Sequence, residues 1–246
     1  MLKPTLAIIS SVPETWFSFV WATDPRFDPR EIASAHKSEK QVFIDAIGIP
    51  DIEKKINIEV IRAMNGIPRD FSADAYILGW SPSMVTEASE KEWITRLISF
   101  VRSEVELGKP LLGICFGHQV LATAFWWKVD FMKDRVIWPR EIETQGGTPI
   151  SSLWSHKQAV YTPWDTSVIA QSDDIIQMIQ VGDDAHGVQF HPEFTPEFTT
   201  FLVKLMRESI ESEWLDPNNI IEHIAERWAN PSSMLLQEFI RKYYNI

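Results

Sequence analysis

Residues 111–119 read LLGICFGHQ and hold the only cysteine of the chain, Cys115, with Gly113 and Gly117 two places to either side. A short apolar run ends there, and the helix-like stretch HQVLATAF follows. Small residues at this spacing let a strand turn sharply into a helix, and the turn forces the central side chain out of the sheet. At a helix N-terminus a thiol faces uncommitted N–H groups and the positive end of the dipole, which favour the thiolate. The N–H of Phe116 would point at the same spot and offer a hydrogen bond to an oxyanion. A thiol nucleophile also needs a base, and GVQFHPEF supplies one. His191 and Glu193 flank Pro192, and an extended backbone there projects both side chains to the same side. A carboxylate beside an imidazole fixes its tautomer and stabilises its protonated form, so Cys115, His191 and Glu193 make a nucleophile, base and orienter set.

The simpler readings are a lone cysteine acting as a small buried hydrophobe and a strand-end histidine paired with a surface acid. Other histidines offer less: His118 is too close along the helix to reach back, His36 and His223 fall in polar helical patterns, and His186 reads as a turn residue.

The elements that must position these groups follow from pattern. LAIISSV (6–12), INIEVIRAM (56–64), DAYILGW (74–80) and PLLGIC (110–115) read as strands alternating with helical segments, the signature of a parallel sheet with crossover helices. Trp93, Ile94, Leu97, Ile98, Val101 and Val105 recur at helical spacing, and Gly108 with Pro110 ends that helix. Between 13 and 55, SAHKSEKQVFIDAIG is compatible with a helix and TDPRFDPRE with a loop. The second half predicts short strands, SSLW, AVYT, SVIAQS, IIQMIQV and HGVQF, in an antiparallel meander. Beyond 196, Phe198, Phe201, Leu202, Leu205, Met206 and Ile210 form one stripe. Asp216-Pro217 and Asn230-Pro231 each read as an N-cap followed by proline at the first helical position.

With 246 residues, 45% hydrophobic and 23% charged, the chain reads as one α/β domain over 1–246, with 196–246 a C-terminal helical extension. Its 34 acidic and 23 basic side chains give a formal charge of -11, which disfavours nucleic acid and anionic membrane as partners. One cysteine cannot form an internal disulfide, the start lacks a secretory pattern, and no apolar run reaches membrane-spanning length. A cytoplasmic protein without cofactor or metal is expected.

GICFGHQ together with QFHPEF, 76 positions apart from cysteine to histidine (191 − 115), resembles the class I glutamine amidotransferases, whose triad is cysteine, histidine and glutamate. WSHKQAV (154–160) is similar to that family's serine-histidine segment beside the substrate backbone, and GWSPSMV (79–85) lies where the family has its oxyanion loop. SVIAQSDD (167–174) resembles the stretch that follows in stand-alone, GMP-synthase-glutaminase-like members. The resemblance spans 74–194 and implies a flavodoxin-like three-layer α/β/α fold with a mostly parallel sheet, an antiparallel β extension and C-terminal helices. It further implies hydrolysis of the glutamine side-chain amide through a γ-glutamyl thioester at Cys115, with release of ammonia. The oxyanion donors would be Phe116 and either Ser81 or Trp80. Gly79, Gln119, Ser155, His156, Lys157 and Gln158 would hold the amino-acid end of the substrate. Gln119 reads equally as a helix-surface residue, and Ser155-His156 as a turn.

The chain departs from the family where glycine pairs are usual: it has Trp80-Ser81 in the oxyanion loop and Trp126-Trp127 at the end of the elbow helix. Left-handed backbone that glycine adopts freely costs other residues ~1–2 kcal/mol, so reshaped loops are expected at these tryptophans. Trp80 either packs as ordinary core or narrows the pocket. There is no G-x-x-x-x-G-K-S/T phosphate loop and no glycine-serine-rich pyrophosphatase motif. Ammonia delivered to an acceptor would therefore pass to a separate synthase subunit. Two alternatives stand beside glutamine hydrolysis: a γ-glutamyl peptide or γ-glutamyl amide hydrolase with the same triad, and a catalytically weak binding or regulatory module.

Overall fold

In the computed structural model, which describes residues 3–13, 38–142, 149–161, 168–172, 175–212, 214–227 and 232–246, the strand β1 (Thr5–Ser10) is buried on both faces. Leu6 and Ile8 enter one hydrophobic cluster, Ala7 and Ile9 the other. A strand whose alternate residues are all apolar can be satisfied only at the centre of a sheet covered on both sides. The remaining strands are β2 (Asn57–Arg62), β3 (Ala75–Leu78), β4 (Leu111–Ile114), β5 (Lys128–Ile142), β6 (Ile150–Tyr161), β7 (Val168–Ser172), β8 (Ile175–Val181) and β9 (Ala185–Val188). Seven of them form one sheet in the order β2-β1-β3-β4-β9-β8-β7, while β5 and β6 pair separately as an antiparallel ribbon. The run from β2 to β9 is parallel, and β7 and β8 complete the sheet antiparallel. The parallel run has the strand order of flavodoxin-like folds, whose ligands sit outside the carboxyl ends of the strands.

The described helices are α1 (Glu39–Ile47), α2 (Ile52–Lys55), α3 (Glu92–Glu106), α4 (Phe116–Ala124), α5 (Pro196–Leu205), α6 (Arg207–Ser212), α7 (Pro217–Arg227) and α8 (Met234–Tyr244). On one face of the sheet α1 and α8 supply Phe43, Ile47, Leu236 and Ile240; on the other, α3 and α4 supply Ile94, Leu97, Val101 and Val120. The apolar stripe read for α3 is the face it buries, and the helix ends at Gly108, whose φ of 73° only glycine adopts cheaply. The Asp216-Pro217 signal opens α7, with Asp216 Oδ1 accepting the Asn218 N–H at 2.9 Å. The corresponding signal at 230–231 and the TDPRFDPRE segment lie outside the described residues.

Three expectations are corrected. His186 is a strand residue rather than a turn: β9 closes the expected antiparallel β7–β8–β9 meander against β8, and on its other side it runs parallel to β4 in the register Leu111↔Ala185. SSLW and AVYT are one continuous strand, β6, paired with a long β5 that sequence pattern did not suggest. The elbow helix does not end in a reshaped loop. Trp126 takes the left-handed conformation itself, at φ 69°. Trp126 and Trp127 donate their N–H groups to Thr123 O at 3.1 Å and Ala122 O at 3.0 Å, the Schellman pairing that glycine usually completes.

Trp126 is 83% exposed, and the Arg102 guanidinium lies 4.2 Å from its ring centroid while Arg102 Nε donates to Ala124 O at 2.7 Å. The exposed cation–π contact is worth ~0.5–1 kcal/mol, less than the ~1–2 kcal/mol of a non-glycine left-handed residue. Trp126→Gly is therefore expected to hold or raise stability, by up to about 1 kcal/mol. Urea unfolding checks this, and a loss larger than that amount would show that the ring contributes more than its surface contact.

Candidate active site

Cys115 follows β4 directly and precedes α4, with φ 51° and ψ −99°, a conformation rarely open to a side-chain-bearing residue. Its N–H donates to Val188 O of β9 at 2.8 Å and its carbonyl accepts from Gln119 N at 3.1 Å, so sheet and helix hold the turn from both sides. The flanking glycines are needed for space. A Cβ on Gly113 would stand 2.5 Å from Gly117 O, and one on Gly117 would overlap the Leu78 carbonyl of β3. The helix can start only because the chain passes this close to its own strand and its neighbour.

His191 and Glu193 follow β9 and reach the same place. His191 Nδ1 lies 2.8 Å from Glu193 Oε1, and the two residues are 2% and 1% exposed. Burial by itself would lower the imidazole, but the Glu193 carboxylate and then the charge and hydrogen bond of Cys115 outweigh it and push the pKa up to about 10. The Cys115 thiol and the His191 imidazole are thus hydrogen-bonding neighbours. Phe194 stacks flat on His191, centroids 4.2 Å apart and planes parallel, and Trp80 meets Phe194 edge-on at 6.3 Å. The imidazole plane is thus fixed by an aromatic as well as by an acid.

Cys115 and His191 open into a cavity of about 280 Å³ that is also lined by Trp80, Ser81, Phe116, Gln119, His156, Lys157 and Gln158. Most positions singled out from sequence therefore meet in one place. Gly79 is not in that lining, and its N–H is spent on Ile9 O at 3.1 Å. Gln119 is buried rather than on a helix surface, its Nε2 donating to Gln158 O at 3.0 Å and Gln189 Oε1 at 3.2 Å. Gln158 turns its side chain to the Val85 N–H (3.1 Å) and Thr86 Oγ1 (2.6 Å), which ties β6 to the segment after the Trp80-Ser81 loop. Ser155 and His156 lie within β6, not in a turn, with Ser155 opposite Ile137. Trp80 borders the cavity, whereas Trp127 packs on the α3–α4 core.

Residues 53–204 match the family described as glutamine amidotransferase class-I. This chain belongs to that family. Among its relatives is a glutamine-hydrolyzing subunit of GMP synthase from Methanobrevibacter smithii, 30% identical over 178 residues, covering 67% of this chain and 85% of the relative. A glutamine-hydrolyzing GMP synthase of Klebsiella pneumoniae is 27% identical over 181 residues, which is 65% of this chain and 33% of that longer protein. The crystal structure of a glutamine amidotransferase from Thermotoga maritima superposes with TM-score 0.74 over 100% of both chains at 16% identity, and shares the fold. The class I match takes in Cys115, His191, Glu193 and the Trp80-Ser81 loop but stops short of α1 and α6–α8.

Sequence reasoning missed Phe194, although it stands in the quoted motif, and the cavity-lining Leu202 and Met206 at the end of α5. It set aside His118 as a base and gave His156 to the amino-acid end of the substrate. Both are buried: His118 is lowered to about 3 by desolvation and the nearby His156 charge, and His156 to about 4 by desolvation and the charge of His191. Both are therefore neutral at pH 7. A histidine whose folded pKa lies below the ordinary ~6.5 contributes stability that is complete above that pH and is lost as pH falls toward the folded value. Chemical denaturation between pH 6.5 and 4 is expected to show this loss, and His118→Gln to flatten it. A His118→Gln profile parallel to wild type would contradict the assignment.

Proposed function

We propose that this chain hydrolyses the side-chain amide of glutamine through a γ-glutamyl thioester on Cys115 and releases ammonia. The buried His191–Glu193 pair at 2.8 Å, coupled to the Cys115 sulfur at the edge of the cavity, carries this reading. In the first step the sulfur forms a bond to the amide carbon, the C–N bond breaks, and protonated His191 gives its proton to the departing nitrogen. In the second, water passes a proton to the now neutral imidazole, adds to the thioester carbon, and the C–S bond breaks to leave glutamate and the starting pair. Glu193 holds the ring throughout and stabilises its charged form.

The Phe116 N–H at the start of α4 is one oxyanion donor. The second comes from the Trp80-Ser81 loop, where Gly79, Ser83 and Met84 spend their N–H groups on Ile9 O, Ser81 Oγ and Glu87 Oε2. Pro82 has none, which favours Ser81 as the donor, with Trp80 beside it. Losing one such donor typically costs about 2.7–4 kcal/mol of barrier. Gln119, neutral His156, Lys157 and the backbone of Ser155 and Gln158 line up along the helix and strand that border the cavity, and we assign them, with Gly79 supporting the loop, to the amino-acid end of the substrate.

One relative of similar span is named as a component of a synthase, and this chain covers 33% of a longer GMP synthase. We therefore place the ammonia acceptor on a separate synthase subunit. The chain itself reads as a single glutaminase domain with a helical C-terminal extension. Among the described residues no helix is long and apolar enough to cross a membrane. A catalytic thiol suits a reducing compartment such as the cytoplasm.

Ammonia is expected to appear when the protein is incubated with glutamine, and Cys115→Ala to abolish it. Equal rates in the two proteins would end the proposal, and would favour a binding role.

A second reading rests on the cavity wall. Trp80, Met84, Phe116, Phe194, Leu202 and Met206 present apolar surface that ammonia, as a leaving group, does not use. This favours γ-glutamyl amides or peptides with an apolar amine. Comparing kcat/KM for glutamine and for γ-glutamyl-leucine decides between them: the wall predicts a preference for the dipeptide of about tenfold or more, since each well-buried methylene contributes ~0.8 kcal/mol. Turnover of glutamine alone would exclude this second reading.

A further inference from the structure

We propose that Arg62 and Glu39 act as a clamp that positions the Trp80-Ser81 loop, and with it the oxyanion side of the site, through the carboxyl end of β1. The inference rests on the proposed role of that loop. Arg62 closes β2, opposite Ser10 in register, and its Nη1 meets Ser10 Oγ at 2.7 Å, Val12 O at 3.0 Å and Glu39 Oε2 at 3.2 Å. The Glu39 side chain is 3% exposed and that of Arg62 20%, so the pair is shielded from water and rigid compared with a surface ion pair.

Ser11, the first residue past β1, sits between the Ser10 and Val12 contacts. Its carbonyl accepts the Ser81 hydroxyl at 2.9 Å, and Ser81 Oγ in turn accepts the Ser83 N–H at 3.0 Å. One residue earlier on β1 than the clamped stretch, Ile9 O accepts the Gly79 N–H at 3.1 Å. The loop is thus hooked on both sides of Trp80, to β1 at Ile9 and to Ser11 just past its end, and the second hook hangs on a residue whose two neighbours are held by Arg62. An ion pair serving only to join β2 to α1 would need none of these contacts.

Glu39 adds a second link. It opens the first turn of α1, and burial raises its carboxyl against the lowering effects of Ser10 and Arg62. The charge of Glu193, the acid bonded to His191, raises it slightly further. Arg62 is the cation that offsets the burial of the Glu39 carboxyl.

Removing Arg62 alone would leave Glu39 buried without its partner and risks unfolding, whereas replacing both partners is often tolerated. The test therefore uses R62M/E39Q, with R62K as the conservative variant. For glutamine hydrolysis, the double variant is expected to lose about tenfold or more in kcat with KM changed less than about threefold, the effect of a donor displaced by a fraction of an ångström. Alkylation of Cys115 by iodoacetamide should stay at the wild-type rate, and R62K should recover part of kcat. Hydrogen exchange over residues 79–84 should speed up in the folded double variant. An unchanged kcat, or a fall in kcat matched by a fall in alkylation, overturns the clamp. If wild-type protein does not hydrolyse glutamine, the proposed function fails on its own account, and the exchange rate over 79–84 still decides: unchanged exchange overturns the clamp, faster exchange upholds it.

Discussion

The left-handed backbone at Cys115 is the constraint around which the rest of the site is built. A non-glycine residue at φ 51° and ψ −99° stores on the order of 1–3 kcal/mol and persists only where its surroundings leave no alternative. Here they leave none: the N–H is bonded into β9, the carbonyl begins α4, and the glycines on either side pass closer to Gly117 O and the Leu78 carbonyl than any side chain would allow. The strain is offset by a core in which β3, β4 and α4 meet at packed contact. Its product is a thiol at the helix N-terminus, next to the end of the neighbouring strand.

That neighbour is why the parallel placement of β9 matters. Pairing β9 beside β4 brings the carboxyl ends of the two strands together, so His191, three residues past β9, arrives next to Cys115, one residue past β4. Had β9 run antiparallel to β4, as it does to β8, its carboxyl end would lie at the opposite edge of the sheet and the pair would be separated by the length of a strand. The same edge gathers the ends of β1 and β3, with the Ser10–Val12 segment and the Trp80-Ser81 loop, while β6 supplies His156 and Lys157 from outside the main sheet. The site is where four parallel strands stop.

Its electrostatics follow from exclusion of water. His191 and Glu193 are almost wholly buried, so their mutual attraction is strong enough to keep the imidazole charged despite desolvation. His118 and His156 are buried beside them without such a carboxylate and are driven the other way, to the neutral form. Three histidines within one stretch of core thus hold two protonation states, and the acid at position 193 makes the difference. Phe194 completes this environment by covering one face of the His191 ring, and Trp80 meets Phe194 edge-on.

The local chemistry was legible in the sequence because it is written in contiguous residues. Glycines two places either side of a cysteine, a histidine and a glutamate two apart around proline, and a stripe of apolar residues at helical spacing each state their own geometry, and the elbow, the His191–Glu193 bond and α3 bear this out. What the sequence could not state is which strands become neighbours. The central position of β9, the length of the β5–β6 ribbon, the burial of Gln119, the apolar wall from Leu202 and Met206, and the Arg62–Glu39 pair all join residues far apart along the chain. Trp126 taught the opposite lesson about local rules: the missing glycine did not reshape the turn, since the hydrogen bonds closing α4 and the Arg102 contact hold a tryptophan in the left-handed form. Sequence alone singled out the side chains to which the chemistry is assigned, through short-range backbone preference; tertiary structure decided their distances, burial and charge, because these depend on pairing and packing between segments that no local pattern specifies.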